Sequence, residues 1–242
     1  MSRIKSYYND FYRELSVIDE ENNNFIKIED FLPKLHGEEC FLDIGCGHGG
    51  VCSELIKKGF NVSGIEINDE AINSLQTKGY KTFRRDITKP LNINSKFNII
   101  LILDVLEHLF DPVHLLQEAK KIVKINGYII VTIPLYFDII DRLKILFTGN
   151  IISMDNLCYG KENYLKFRSY NYDHIRFFRP KDILEIGELL DLYADKIEFN
   201  STSYLGESRF IKLFFKIIAN KFTVKYSPNL LAHSMKIRWQ VR

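Results

Sequence analysis

The run Phe97-Asn98-Ile99-Ile100-Leu101-Ile102-Leu103 constrains this chain more than any other stretch. Apolar residues follow one another there without the alternation of a strand that has one wet face, so the run is expected to be buried on both sides. Burial on both faces needs helices above and below a parallel sheet, and the flanking sequence supplies them. Cys40–Ile44, Asn61–Ile67, Lys81–Arg84 and Tyr128–Ile133 read as further strands, the last halted by Pro134. Helical patterns lie between them at Val51–Lys58, Asp69–Lys78 and Pro112–Val123, with Asn126-Gly127 as the expected stop of the third. Strands alternating with helices predict an α/β, doubly wound, mostly parallel Rossmann-like sheet.

Outside this rhythm, residues 3–20 and 22–36 read as two helices, giving an N-terminal helical cap over 1–36. The sheet-forming core is expected over 37–134 and 179–199, with an aromatic lid or substrate insertion at 135–178 between its parts. Arg179-Pro180 opens a helix to about Leu190, and Leu192–Phe199 reads as a strand. The remainder, 200–242, reads as a basic helix over Arg209–Lys221 and a final strand over Ser234–Val241. With no repeat or linker, the 242 residues read as one domain.

Charge bears on partners. Lys plus Arg number 33 and Asp plus Glu 31, a net +2, which gives no global argument for nucleic acid. The excess is local: Ser201–Arg242 holds eight basic residues and one acidic, Glu207. On the expected 209–221 helix, Arg209, Lys212 and Lys216 form a stripe opposite Phe210, Leu213, Phe214, Ile217 and Ile218. That face suits an anionic membrane surface, packing on the domain, or a second subunit in a homodimer. The polar, aromatic start lacks the apolar core of a secretory signal, and no apolar run reaches the length of a membrane span. The four cysteines show no paired C-x-x-C spacing, so neither a zinc site nor a disulfide framework is expected. A cytoplasmic protein, at most peripheral to the inner membrane, is the expectation.

The chemistry concentrates where the first strand ends, in Phe41-Leu42-Asp43-Ile44-Gly45-Cys46-Gly47-His48-Gly49. Glycines there let the backbone turn sharply and approach a ligand, at the crevice where open parallel sheets bind them. Glu66, ending the next strand, is placed to accept hydrogen bonds from two ribose hydroxyls. Gly45-x-Gly47-x-x-Gly50 also satisfies a dinucleotide fingerprint, a pattern of little specificity alone. Asp43 before the first glycine suits a cationic or polar ligand part better than pyrophosphate. Asp86-Ile87 follows the third strand, and Asp104-Val105-Leu106-Glu107-His108-Leu109 follows the fourth.

These ordered pieces, with Asn126-Gly127-Tyr128 before I-I-V-T-I-P and His174-Ile175-Arg176-Phe177-Phe178-Arg179-Pro180, resemble the class I S-adenosylmethionine (SAM)-dependent methyltransferases. The likeness is to their small-molecule group, which includes ubiquinone- and sugar-modifying members, and it spans about Glu39–Phe199. It implies that Asp43 and the loop Gly45, Cys46 and Gly47 hold the methionine part of SAM. Glu66 with Ile67 would take the ribose, Asp86 with Ile87 the adenine, and Asp104 with Val105 the methionine amine or the transferring methyl. S-adenosylhomocysteine would be the product, and no metal is expected. Turn-capping is the bland reading of Asp43 and Asp86, and packing that of the Cys46 side chain.

A hydroxyl acceptor benefits from a base, and histidine is the natural one. Of six histidines, His174 at the lid and His108 after the fourth strand fall near the crevice, whereas Glu107 reads as scaffold. Tyr8 lies on one face of the first helix with Tyr12, where it can touch an acceptor or simply pack. Arg168, Arg176 and Arg179 would suit an acceptor phosphate or carboxylate. The first expectation is methylation of a small molecule, carbohydrate-related, in bacterial polysaccharide biosynthesis, at a hydroxyl before an amine. Methylation of a quinone-type or other lipid-associated phenol comes next. A nicotinamide-dependent oxidoreductase and a non-catalytic SAM-binding module are the other classes.

Overall fold

The computed structural model describes residues 28–136, 138–149, 174–201 and 217–242. Seven strands make one sheet: β1 (Cys40–Ile44), β2 (Asn61–Glu66), β3 (Lys81–Arg84), β4 (Phe97–Leu103), β5 (Val123–Pro134), β6 (Tyr193–Ser201) and β7 (Ala232–Gln240). Their order is β3-β2-β1-β4-β5-β7-β6. The first five run parallel, while β7 is antiparallel to both β5 and β6. The order reverses between β1 and β4, which opens a crevice at the carboxyl ends of these two strands.

Five helices of eight to eleven residues flank the sheet among the described residues: α1 (Gly50–Lys57), α2 (Asp69–Thr77), α3 (Pro112–Ile122), α4 (Ile139–Thr148) and α5 (Pro180–Leu189). Two shorter ones, α6 (Lys221–Tyr226) and α7 (Pro228–Leu231), precede β7. The apolar run of β4 is buried on both faces, as its sequence requires: Ile100 and Ile102 join one core, Ile99 and Leu101 the other. None of the described helices is long and apolar enough to cross a membrane.

Several expectations are corrected. The helix expected to reach residue 36 ends in a single 3-10 turn, Glu29–Phe31. Pro33 pushes the preceding Leu32 into an extended conformation (φ −61°, ψ 151°), which stops it. Asn126-Gly127 does not end the third helix, because α3 passes directly into β5. The pair lies in an irregular part of that strand, where the register against β4 shifts and Asn126 adopts φ +61°. The final strand is no appendage to the core. β7 wedges between β5 and β6 and buries Met235, Ile237 and Trp239. The basic helix expected to run to Lys221 stops before Ala219, since the Asn220 side chain accepts hydrogen bonds from the Phe222 and Thr223 amides and starts α6. Arg209, Lys212 and Lys216 lie outside the described residues, as do Tyr8, Arg168 and most of the expected lid.

The insertion holds a helix that the sequence reading missed. The Asp138 side chain accepts from the Ile140 and Asp141 amides, and Gly149 closes α4 in the left-handed region. An aspartate and a glycine bracketing an apolar stretch were the available signals.

Candidate functional site

The expected cofactor residues gather at one place, the carboxyl edge of β1, β2, β3 and β4. Beyond β1 the chain turns at Gly45 (φ +76°), whose amide donates to the Ile65 carbonyl (2.9 Å), as does that of Cys46 (3.1 Å). A Cβ on Gly45 would sit 2.8 Å from Val105 Cγ2, so the loop leans directly on the segment after β4. The Cys46 side chain turns inward instead. It packs on Gly64 of β2, where an added Cβ would lie 2.5 Å from its sulfur. Its side chain therefore belongs to the core, and only its backbone faces the crevice.

Glu66 is the hub of this edge. Its Oε2 accepts from the Gly47 amide (3.0 Å), and Oε1 accepts from the amides of Ile67 (2.6 Å) and Asn68 (2.9 Å). One buried carboxylate thus ties the glycine loop to the end of β2. Asn68 in turn caps α2 by accepting from the Ala71 amide.

Asp43, only 4% exposed, accepts from the Cys52 thiol at 3.5 Å. Burial pushes its carboxyl up to about 7, against the Cys52 hydrogen bond and with help from the nearby Glu66 charge. Burial also raises Glu66, opposed by its three backbone donors. Two buried acids side by side are costly unless a positive ligand sits between them and water. The donor set therefore fits a cation such as the ammonium and sulfonium of SAM.

Asp86 behaves as the bland reading had it. Its carboxylate caps a turn, accepting from the Thr88 amide (3.0 Å) and hydroxyl (2.6 Å), and Lys89 lies 3.3 Å away. Despite partial burial, the Thr88 and Lys89 contacts hold its carboxyl below the usual range. Ile87 packs half-buried against the core. After β4, Asp104 adopts φ +53°, a conformation costing a non-glycine residue about 1–2 kcal/mol. Thr132 of β5 holds it there. The Asp104 amide donates to the Thr132 carbonyl (3.1 Å) and hydroxyl (3.0 Å), and that hydroxyl donates to Asp104 Oδ1 (2.8 Å). Thr132 was missed in the sequence, where it stood as a lone hydroxyl inside an apolar strand.

A second cluster lies just beyond. His108 ends a short 3-10 turn, Leu106–His108, and its ring stands 4.6 Å from that of His174, edge to face. The Glu107 carbonyl accepts from the amides of Ile175 (2.8 Å) and Arg176 (3.0 Å), which pins the His174 segment against the end of β4. Glu107 is 1% exposed, and its Oε1 lies 3.9 Å from His174 Nε2. Donor atoms of Glu107, His108 and His174 all fall within 4.8 Å of one another. The Tyr136 hydroxyl is hydrogen-bonded to His174 Nδ1, and the Tyr136 ring packs on Phe177 at 4.9 Å. Tyr136, just past β5, falls in the 135–178 stretch that the sequence marks as an aromatic lid or substrate insertion.

Of the arginines expected to meet an acceptor anion, the two that are described are otherwise engaged. Arg179 grips Asp182 in a fork at the start of α5, and Arg176 donates to the Phe110 carbonyl.

Comparison with known proteins places these features in context. Residues 19–196 match a family model described as a methyltransferase domain. A ubiquinone biosynthesis O-methyltransferase of Shewanella pealeana is 23% identical over 161 residues, 63% of this chain and 63% of that protein. The counterpart from Colwellia psychrerythraea is 28% identical over 156 residues, 61% of this chain and 58% of that protein. The chain thus spans under two thirds of the length of these curated relatives. Among solved structures, a SAM-dependent methyltransferase from Archaeoglobus fulgidus shares the fold, with TM-score 0.62, 18% identity, and coverage of 97% of this chain and 99% of that one.

Proposed function

The chain belongs to the methyltransferase-domain family, and from that premise we propose that it transfers a methyl group from SAM to a hydroxyl of a small aromatic molecule, a quinone precursor or similar phenol. The observation that carries the donor half is the carboxyl edge itself: an acid-lined crevice whose glycine loop is held by the buried Glu66. When bound, SAM supplies a methyl group already activated by its positive sulfur. The chain must then hold, align and exclude water. In this reading Asp43 and the Gly45–Gly47 backbone hold the methionine end, assisted by Asp104. The acceptor site that Glu66 Oε2 keeps beside the Gly47 amide takes a ribose hydroxyl. Ile87 offers an apolar edge for the adenine, while Asp86 shapes the turn that presents it. Alignment alone can contribute about 7–11 kcal/mol at the extreme, so no covalent intermediate with the protein is needed.

Two observations favour the phenol over the sugar that the sequence put first. Both relatives above carry ubiquinone biosynthesis in their names. Of the arginines that would suit an acceptor phosphate or carboxylate, Arg176 and Arg179 already bond within the protein, and Arg168 lies outside the described residues. Calorimetric titration with SAM, S-adenosylhomocysteine and NADH tests the donor half, and binding of NADH alone would overturn it. Incubation with SAM and either catechol or a sugar nucleotide, read as an added methyl by mass spectrometry, separates the acceptors.

A further inference from the structure

Both ring nitrogens of His174 are already engaged. Nδ1 meets the Tyr136 hydroxyl, and Nε2 faces Glu107 Oε1 at 3.9 Å, ion-pair range rather than hydrogen-bond range. The carboxylate favours the tautomer with its proton on Nε2, as in other histidines oriented by an acid. Nδ1 then carries the lone pair, and Tyr136 is the donor. An imidazole held this way cannot take a proton from an acceptor directly without giving up one of its partners. We propose that Tyr136 is the residue that touches the acceptor hydroxyl and that Tyr136, His174 and Glu107 act as one proton relay. The inference rests on the phenol methylation proposed above and adds a catalytic residue to it.

The position of each member supports this assignment. Tyr136 lies two residues beyond β5, whose Thr132 pairs with Leu103 of β4 just before Asp104, so the fold carries it to the same sheet edge. Phe177 braces that ring from the side. Two backbone hydrogen bonds to the Glu107 carbonyl fix the segment bearing His174, so the relay is preformed. Among the described residues, charged or titratable groups facing His174 include Glu107 and His108 from the turn after β4 and Tyr136 from just past β5.

In the proposed step the acceptor oxygen bonds to the methyl carbon as the carbon–sulfur bond breaks, its electron pair staying on sulfur. The acceptor proton passes to the Tyr136 oxygen while the Tyr136 proton passes to His174 Nδ1. Glu107 faces the resulting imidazolium at Nε2, and the extra proton leaves to water after product departs.

The test uses the full chain with S-adenosylhomocysteine bound and the histidine rings labelled with 15N. His174, assigned by its loss in His174→Gln, is expected to show a protonated Nε2 and a bare Nδ1, and Tyr136→Phe should shift that Nδ1 resonance. A protonated Nδ1, or a spectrum unmoved by Tyr136→Phe, overturns the relay whatever the acceptor is. With catechol as probe, Tyr136→Phe is expected to lose about 100-fold or more in kcat, with the SAM dissociation constant within about twofold of wild type. The loss should shrink on 4-nitrocatechol, whose more acidic hydroxyl needs less help. The double variant Tyr136→Phe/His174→Gln should be no slower than the worse single, as expected of groups acting together. Independent, multiplying effects overturn the proposal. So does activity that a chelator abolishes and Mg2+ restores, since the ring nitrogens would then serve a metal. Failure of the wild type to bind SAM refutes the function proposed above, whereas the ring spectrum judges the relay by itself.

Discussion

Replacing Glu66 by Gln is the sharpest probe of the carboxyl edge, because it changes charge and hydrogen bonding without changing size. The amide oxygen of Gln can still accept from Ile67 and Asn68. Its NH2 group would then face the Gly47 amide, setting donor against donor where Oε2 now accepts at 3.0 Å. One charge-assisted hydrogen bond lost at a buried site costs about 1.5–3 kcal/mol. A domain of this size moves about 2–4 °C in Tm per kcal/mol, so a drop of roughly 3–12 °C is expected by circular dichroism. The glycine loop loses its tether to β2 in the same step. The ribose also loses a full carboxylate, so the SAM dissociation constant should rise at least tenfold, about 1.4 kcal/mol, by calorimetry. Glu66→Ala should lower Tm further by leaving three amides without that acceptor. If Glu66→Gln keeps both Tm and affinity, the hub reading fails. If Tm falls while affinity holds, Glu66 is a brace for the loop and does not touch the ribose.

Other outcomes follow from the same geometry. Asp43 has its folded pKa raised to about 7 from an ordinary 3.8, so the unliganded protein should be steadiest below about pH 4 as far as this group decides, and lose that contribution as pH climbs through 7. SAM, being cationic, prefers the ionised acid, so its affinity should increase over the same interval; Asp43→Asn should flatten both trends in melting and calorimetric titrations. Asp104→Asn keeps an acceptor for the Thr132 hydroxyl and a residue type that tolerates positive φ, so Tm should stay within a few degrees while SAM binding weakens. Phe31 is fully buried, with Lys196 Nζ 4.8 Å and Lys236 Nζ 5.4 Å from its ring centre. Phe31→Ala should cost about 3–5 kcal/mol in urea unfolding, and a loss below 1 kcal/mol would mean that the segment before β1 is not anchored there.

The sheet was legible because its evidence is local. The apolar run of β4, the strand of β1 and the short β3 carry their own period and end within their own residues, and the structure keeps those bounds. What failed was decided at a distance or by a neighbour. Leu32 is extended because of Pro33, and Asn126 sits in a strand because the chain must close the gap between α3 and the β4 register. No sequence period announces that β7 enters between β5 and β6. At the site, Asp43, Glu66 and Asp104 could be placed from sequence because they are acids within or just after β1, β2 and β4, and the structure brings them to the same sheet edge. For Asp86 the sequence offers both a ligand role and a turn cap, and Thr88 two residues on engages its carboxylate in the turn. Tyr136 and Thr132 escaped because each acts through a partner far along the chain, His174 and Asp104, and only the fold brings those partners near.

The two halves of the crevice solve opposite electrostatic problems. Around Asp43 and Glu66 the protein concentrates negative charge and lets burial raise both carboxyls, an arrangement that weakens the empty fold and is relieved when a cation arrives. Around Glu107 the acid is buried too, but two histidines stand against it, so positive charge can form there from within the protein. A methyl donor that arrives positive and leaves neutral needs the first environment. An acceptor that arrives neutral, gives up a proton and leaves methylated needs the second. Asp104, held at φ +53° by Thr132, stands in the chain between β4 and Glu107, so in the proposed reading the two environments would meet at one transferred carbon.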